Sequence, residues 1–379
     1  MDTEEIIALR RELHRNPELS GREQETGQRI KTFFTRSNPD QVVEGLGGHG
    51  IAFIFDSNLP GPVVLFRADL DALPIKEINS FEYRSGHPGV SHKCGHDGHM
   101  AILSLLSRKI SERRPQYGKV VLLFQPAEET GEGAEKVIHD PKFESIKPDY
   151  AFALHNLPGF RKHDIIIREE TFASASKGII IKLHGKTAHA GEPENGINPS
   201  MAVSEIIKKF HELPVQEDFK DFTLITLVNV KVGEKAFGTS AGYGEVMATL
   251  RSYRNDDMEK LTAKAEDFIK ATARKENLQE EIEYTEEFLA TVNDPECNEL
   301  IEDAAKENNL FTDKKDHTFR WSEDFSHFTN QFKGALFGLG SGVNQPQLHN
   351  PDYDFPDEII ETGASMFFNI YKKLLIDKI

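Results

Sequence analysis

The chain has 379 residues, which at roughly 150 residues per domain predicts two or three domains. Its 45 basic and 62 acidic residues sum to a formal charge of −17, which disfavours nucleic acid and anionic membranes as partners, because both select for a surplus of Lys and Arg. No apolar run has the length of a membrane-spanning helix, and the acidic start lacks the pattern of a signal peptide. Two cysteines cannot build a disulfide framework, so we expect a soluble cytoplasmic protein.

The first third of the chain alternates patterns typical of helices and of buried strands. Apolar residues at helical spacing predict helices over 3–15, 22–36 and 98–114. Short runs that are apolar on both faces predict buried strands over 51–55, 63–66, 120–124 and 150–154. Such strands separated by helices are typical of a mostly parallel sheet with helices on both faces, so the predicted fold class is α/β.

The middle of the chain has a different pattern, in which strands alternate apolar and polar residues. The predicted order is strand, helix, strand, strand, helix, strand, over 178–184, 199–210, 222–231, 244–253, 257–275 and 281–288. This β-α-β-β-α-β order is typical of ferredoxin-like α+β domains.

The last part of the chain returns to α/β character, with a helix over 297–308, a strand over 335–339 and a helix over 358–375. We therefore expect one larger domain that is interrupted in sequence by a smaller one. The predicted bounds are 1–174 and 289–379 for the larger domain and 175–288 for the insertion.

Acids and histidines follow the predicted strands of the larger domain. Asp71 comes shortly after the strand over 63–66, Glu128 and Glu129 follow the one over 120–124, His155 follows the next, and His349 comes after the last. In open α/β sheets, ligands bind at the carboxyl ends of the strands. The sequence therefore predicts that these side chains gather at one edge of the sheet.

The densest polar cluster is HKCGHDGH, residues 92–99, which stands at the start of a predicted helix. Cys, His and carboxylates are ligand types for zinc and neighbouring metals. Cys94 and His96 are two residues apart, so in extended backbone both face one side. We expect Asp97 to accept a hydrogen bond from a ligating imidazole. The alternative is a helix start with incidental histidines.

Glu128 and Glu129 are adjacent, and adjacent carboxylates usually form a solvated face. On extended backbone, however, neighbouring side chains point in opposite directions. One carboxylate could then bind a metal while the other serves as a base, which is the division that metal-assisted hydrolysis requires. His155 and His349 are ambiguous individually but would complete the coordination of a pair of ions.

Two further residues stand out in the insertion. His189 lies in GKTAHAG, residues 185–191, directly after the first strand, and Arg251 lies near the end of a later strand. Alone, His189 is equally typical of a surface turn, and Arg251 of a surface ion pair.

Several of these motifs together identify a family resemblance over nearly the whole chain. They are RADLDALP (67–74), HKCGHDGHMA (92–101), FQPAEE (124–129), LH (154–155), GKTAHA (185–190), SEDF (322–325) and LH (348–349). The chain resembles the di-metal amidohydrolases and metallopeptidases that include aminoacylases and glutamate-releasing carboxypeptidases. Within them it is similar to hippurate hydrolases, N-acyl-amino-acid amidohydrolases and auxin-conjugate hydrolases.

The resemblance implies two divalent metal ions, zinc or manganese, in the larger, catalytic domain. The implied metal ligands are Cys94, His96, Glu129, His155 and His349. Cys94 would be shared by both ions.

The resemblance also implies roles for residues that are not ligands. Glu128 would be the general base, and Asp71 would support the catalytic site without binding metal. The insertion would be a lid and dimerisation domain, whose His189 stabilises the oxyanion and whose Arg251 binds the substrate carboxylate.

The predicted function is hydrolysis of the amide bond of an N-acyl amino acid, small peptide or related small amide by a homodimeric enzyme. One alternative is an aminopeptidase or dipeptidase on the same scaffold, which would need a group that recognises a free α-amine. Another is a non-catalytic metal-binding protein, which would have no use for Glu128.

Overall fold

The computed structural model describes residues 3–377. The first two and last two residues, which the predicted domain bounds include, lie outside the described residues. Within the described range, no helix combines the length and the apolar character that crossing a bilayer requires.

Nine α-helices occur in residues 3–377. They are α1 (Thr3–Arg15), α2 (Gln24–Phe34), α3 (His96–Glu112), α4 (Gly133–His139), α5 (Ser200–Glu212), α6 (Asn255–Lys275), α7 (Pro295–Glu307), α8 (Ser326–Thr329) and α9 (Ile360–Leu375).

Sixteen β-strands accompany them in the same range. They are β1 (Gln41–Leu46), β2 (Gly50–Asp56), β3 (Val63–Asp69), β4 (Lys119–Gln125), β5 (Tyr150–Pro158), β6 (Ile165–Ile167), β7 (Glu170–Ala173), β8 (Ala175–His184), β9 (Ala188–His189), β10 (Thr223–Val232), β11 (Thr239–Ser240), β12 (Tyr243–Ser252), β13 (Gln279–Phe288), β14 (Thr291–Asn293), β15 (Thr312–Lys314) and β16 (Lys333–Gly342).

The described chain divides into two compact units. The first contains the chain up to Phe172, Thr291–His317 and the chain from Asp324 onwards, and the second contains Ala173–Ala290 and Thr318–Glu323. Residues 318–323, which the sequence places in the larger predicted domain, group with the second unit. Their backbone explains this, because the carbonyls of Phe319 and Trp321 accept the N–H of Ser174 at 3.1 and 3.0 Å.

The first unit contains an eight-stranded sheet in the order β1-β2-β4-β3-β5-β16-β6-β15. Its central strands β4, β3, β5 and β16 are parallel, whereas β1 and β2 extend one side in antiparallel fashion. β4 is buried on both faces, as its uninterrupted apolar sequence predicts. Helices α3 and α9 pack against β3, and α8 packs against β16. The predicted mixed α/β class with a mostly parallel sheet is confirmed.

The second unit contains a four-stranded antiparallel sheet in the order β10-β12-β8-β13. With α5 and α6, this is the strand order of a ferredoxin-like domain. Apolar side chains of alternate positions, such as Ile181, Val246 and Leu250, join the core with the helices. The intervening positions carry polar side chains such as Lys182 and Glu245, which are partly exposed. The alternation seen in the sequence thus separates a packed face from an open one.

Candidate metal centre

The chain turns sharply at the start of α3, where it presents Cys94 and His96. Gly95 between them has φ of 98°, in the left-handed region that favours glycine. A Cβ at this position would lie 2.5 Å from Asn156 Oδ1, so a larger residue would also clash. Gly95 therefore lets the backbone bend closely against β5 and place both side chains on the same side.

The structure brings the predicted ligands together at the carboxyl edge of the parallel strands. Among the described residues, five groups of three side chains have ligand atoms that all lie within 4.8 Å of one another. Two of them consist of predicted ligands only, namely Cys94 with His96 and His155, and Cys94 with Glu129 and His349. Cys94 belongs to both groups. Its Sγ lies 3.4 Å from His155 Nε2. This arrangement matches a pair of cation sites that share one thiolate.

Two of the imidazoles are oriented by backbone carbonyls. His96 Nδ1 lies 2.9 Å from the carbonyl oxygen of Asp71, and His155 Nδ1 lies 2.9 Å from that of Asn156. A carbonyl only accepts, so Nδ1 must carry the proton in both rings. Nε2 is then the nitrogen of each ring that would bind a cation.

Three of the buried side-chain atoms that lack a hydrogen-bond partner among the described residues lie at this centre. They are His96 Nε2, Glu129 Oε1 and Asp71 Oδ1. Such atoms are costly inside a protein unless they are paired or bind an ion. The unsatisfied atoms and the Cys, His and Glu donors therefore both fit divalent cations.

The electrostatics of the centre also favour added positive charge. Burial raises the pKa of Glu129 to about 8, and the negative charges of Asp71 and Asp69 add to that effect against the opposing influence of His96. Burial lowers the pKa of His96, but Asp69, Asp71 and Glu129 outweigh it and raise the value to about 10. The carboxylates thus stabilise positive charge at the position where a divalent cation would bind.

Glu128 is buried beside the ligands and, like Glu129, has a carboxylate oxygen near His96 Nε2. Its Oε1 accepts the N–H of Asp324 at 3.4 Å, and its Oε2 lies 3.9 Å from His96 Nε2. Ala127, which precedes it, has φ of 53°, a sparsely populated conformation for a residue with a side chain. The N–H of Ala127 donates to Glu23 Oε1 at 2.8 Å, which holds this turn.

Asp71 lies behind the ligands and joins several of them. Its Oδ2 accepts the N–H of Glu129 at 3.0 Å and the hydroxyl of Ser20 at 2.7 Å. Its Oδ1 lies 3.4 Å from His96 Nδ1. Asp71 thus contacts both the backbone of one predicted ligand and the ring of another.

Asp97 does not make the contact that the sequence suggested. Its Oδ2 lies 2.8 Å from His14 Nδ1 and 3.2 Å from Arg10 NH1, both on α1. The expectation that it orients a ligating imidazole is wrong, because the first turn of α3 directs its side chain towards α1. The carbonyl of Asp71 accepts the hydrogen bond from the His96 ring instead.

A buried hydrogen-bond chain next to the centre was not predicted. His99 Nδ1 lies 2.7 Å from Asp69 Oδ1, and His99 Nε2 lies 2.5 Å from Asn156 Oδ1. The Nδ2 of Asn156 donates to the hydroxyl of Tyr353 at 2.6 Å. Asp69 and His99 occur in motifs that the sequence singled out, but their pairing depends on how β3 and α3 pack.

The second unit holds the other two predicted residues. His189, in β9, is exposed, and its Nδ1 accepts the N–H of Gly191 at 3.0 Å. Arg251, in β12, donates from NH1 to the carbonyl of Arg320 at 2.6 Å and to the hydroxyl of Ser322 at 3.2 Å. Burial lowers the pKa of Arg251. Within residues 3–377 it has no salt-bridge partner.

Comparisons with known proteins agree with this fold. A model of the peptidase family M20/M25/M40 matches residues 65–373. The chain is 30% identical over 386 residues to the N-acetyldiaminopimelate deacetylase of Lactobacillus helveticus, covering 99% of this chain and 97% of that protein. It is 28% identical over 384 residues to an uncharacterized hydrolase of Staphylococcus haemolyticus, covering 99% and 98%.

A solved structure shares the fold. The crystal structure of a dinuclear metal binding peptidase of the M20 family from Bacillus subtilis matches with a TM-score of 0.83 at 23% identity, covering 98% of each chain. Together these findings define a metal-dependent enzyme of the amidohydrolase and peptidase class. The chain belongs to the peptidase family M20/M25/M40, and the resemblance predicted from its motifs is confirmed.

Proposed function

We propose that this enzyme hydrolyses the amide bond of an N-acyl amino acid or a related small amide with two divalent metal ions. The observation that carries the proposal is the pair of ligand groups that share Cys94, with the buried carboxylate of Glu128 within 4.8 Å of the ligand atoms of His96 and Glu129. A site that only bound metal would have no need of a buried carboxylate outside the ligand set.

The proposed ligands divide between the two ions. His96 and His155 would bind one, Glu129 and His349 the other, and Cys94 both. When bound, such ions polarise the substrate carbonyl and make water more acidic. Cys94 favours zinc, whereas the imidazole and carboxylate donors also suit manganese, so we propose either metal.

Glu128 is proposed to take the proton from the attacking water and to deliver it to the leaving amine. The N–H of Asp324 holds its Oε1, while its Oε2 faces His96. A carboxylate fixed in this way can accept and return a proton without leaving its position. Asp71 is proposed to support this chemistry by holding the backbone of Glu129.

Residues of the second unit are proposed to act on the substrate. Because His189 Nδ1 accepts the N–H of Gly191, the proton of the neutral ring lies on Nε2, which suits donation to an oxyanion. Arg251 is proposed to bind the substrate carboxylate, since its guanidinium has only neutral partners within residues 3–377. Both roles require the insertion to act as a lid.

The substrate class is supported by the deacetylase named among the relatives, which is 30% identical over nearly the full length. A panel of N-acetyl and N-benzoyl amino acids and dipeptides, read by amine release, would test it. Cleavage of the acyl amino acids without cleavage of dipeptides is expected. Preference for dipeptides with a free α-amine would instead support an aminopeptidase or dipeptidase.

Substituting Glu128 tests the mechanism directly. We expect Glu128→Gln to lower kcat by about 10²- to 10⁴-fold, because the amide cannot accept the proton of the attacking water. Both ions should still bind, as measured by elemental analysis after gel filtration. Glu132→Gln, at an exposed position in the same loop, is the matched control and should retain activity. Full activity of Glu128→Gln with both metals bound would refute the mechanism.

We further propose that the enzyme is a cytoplasmic homodimer that associates through the insertion. The edge strand β10 supports this, because its Val228 and Val230 are 64% and 42% exposed. Exposed apolar residues on an open edge are suited to pairing with a second strand.

A further inference from the structure

Lys93, which precedes Cys94, is completely buried, and all three N–H donors of its ammonium group are hydrogen-bonded. Nζ donates to Glu77 Oε1 at 2.5 Å, to Asn79 Oδ1 at 2.9 Å and to the carbonyl of Tyr353 at 2.7 Å. An ammonium group has three donors, so each has one partner. A buried charge is costly unless it is paired in this way, which makes the position of Lys93 specific.

His349, by contrast, has few contacts that fix its ring. Its side chain is 52% exposed, and Nε2 lies 3.7 Å from Glu129 Oε2. Its φ is 65°, which is sparsely populated for a residue with a side chain and must be maintained by the surroundings. The N–H of His349 donates to the carbonyl of Lys93 at 2.8 Å. The backbone therefore sets the location of this ring.

Lys93 holds the segment from His349 to Tyr353 at both ends. Its carbonyl binds the N–H of His349, and its ammonium binds the carbonyl of Tyr353. Since Lys93 is adjacent to Cys94, these two bonds couple the segment that carries His349 to the segment that carries the shared thiolate.

The partners of the ammonium are themselves fixed. Glu77 Oε1 lies 3.0 Å from His14 Nε2, and Glu77 Oε2 accepts the N–H of Ser85 at 2.6 Å. The side-chain amide of Asn79 donates to the carbonyl of Asp352 at 3.0 Å. The residues around Lys93 therefore form a rigid support.

We propose that Lys93 is a positioning residue that places His349 opposite Cys94 and Glu129 and thereby completes one of the two metal sites. This inference rests on the proposed function, in which His349 is a ligand. Lys93 touches neither metal nor substrate. Its effect should fall on one ion, because His349 belongs to only one of the two ligand groups that share Cys94.

The test is a cobalt titration of Lys93→Met, a variant of similar length without the charge. Absorption bands of Co²⁺ report each binding step, and the thiolate-to-cobalt band reports Cys94. One ion should bind as in the parent protein and the other roughly 10- to 100-fold more weakly. His349→Ala should give the same result, and the double variant should show no further loss.

Two further variants separate positioning from general stability. Lys162→Met removes an exposed lysine that pairs with Glu358, and it should bind both ions normally. Glu77→Gln keeps Lys93 but weakens its support, and it should lower the affinity for the same single ion even if Lys93→Met fails to fold.

The outcomes distinguish this inference from the function on which it rests. The positioning role is wrong if His349→Ala loses one ion while folded Lys93→Met keeps both. If Lys93→Met does not fold, Glu77→Gln replaces it in this comparison. Equal weakening of both ions would also overturn it, because that indicates a general structural defect. If His349→Ala binds both ions normally, the proposed ligand set fails and this inference fails with it.

Discussion

Glu128 and Glu129 show how adjacent residues of one type acquire different environments. Glu129 Oε1 is buried without a hydrogen-bond partner among residues 3–377, and burial raises its pKa to about 8. Glu128 Oε1 instead accepts a hydrogen bond from the N–H of Asp324. The difference lies in these partners, because both carboxylates face His96 Nε2, at 3.9 and 3.7 Å. It supports the proposed division between a ligand and a base.

His189 provides a prediction at the scale of the residue. We expect His189→Ala to lower kcat by about 10²- to 10³-fold, because a donor to the developing oxyanion is lost. Metal content should not change, since His189 is outside the proposed ligand set. Steady-state kinetics on an N-acyl amino acid would measure the effect, with His211→Ala, at another exposed histidine of the insertion, as the control. An unchanged kcat would remove His189 from the mechanism.

At the scale of elements, the N-terminal helix supports the ligand segment at the start of α3. Arg10 of α1 is completely buried, and it binds Asp97 at 3.2 Å, Asp354 at 2.8 Å and Asp357 at 2.8 Å. These acids lie at the start of α3 and in the segment that follows His349. Helix α1 thus ties together two parts of the chain that carry proposed ligands.

His14 makes this support dependent on pH. Burial lowers its pKa, but Asp97 and Glu77 outweigh burial and raise the value from 6.5 to about 9. A raised pKa means that the folded protein holds the proton more tightly than the unfolded chain. The stabilisation is therefore complete below about pH 6.5 and is lost as the pH rises through about 9. A shift of this size corresponds to roughly 3 kcal/mol.

Urea unfolding at both ends of this pH range would measure the effect. Wild type should lose stability towards alkaline pH, and His14→Gln, which does not titrate, should lose less under the same conditions. The difference between the two proteins isolates His14 from other titrating groups. Parallel pH profiles for wild type and His14→Gln would contradict the prediction.

At the scale of the whole molecule, the second unit interrupts the first in sequence, and each unit has its own core. The proposed lid and dimerisation roles belong to this scale. The ferredoxin-like sheet leaves β10 at an edge, where natural proteins either cover a strand or protect it with charge.

Introducing a charged residue into the edge strand β10 tests dimerisation. We expect sedimentation to give twice the chain mass of 42.8 kDa for wild type, and Val228→Lys to shift the protein towards monomer, because a buried lysine would be unpaired. Val343→Lys, at a 58% exposed valine of the first unit, is the control and should remain dimeric. A monomeric wild type would refute the proposed dimer.

Local patterns predicted most of the regular structure. The helix predicted over 3–15 is α1, and the buried apolar runs became β2, β3, β4, β5 and β16. β6, β14 and β15 were missed, because each has only three residues and so contains no periodicity. β7 has four residues, which is also too short to show a reliable pattern.

The sequence by itself determined the fold class and the family and predicted a set of metal-binding side chains, because periodicity and motifs are properties of neighbouring residues. The tertiary structure decided which of these side chains meet. In the folded chain, Asp97 is hydrogen-bonded to His14 and not to a ligand, and Asp69 is hydrogen-bonded to His99. The ammonium group of Lys93 donates to Glu77, Asn79 and Tyr353. Tyr353 is 260 residues from Lys93 in sequence, and such pairs depend on the path of the whole chain.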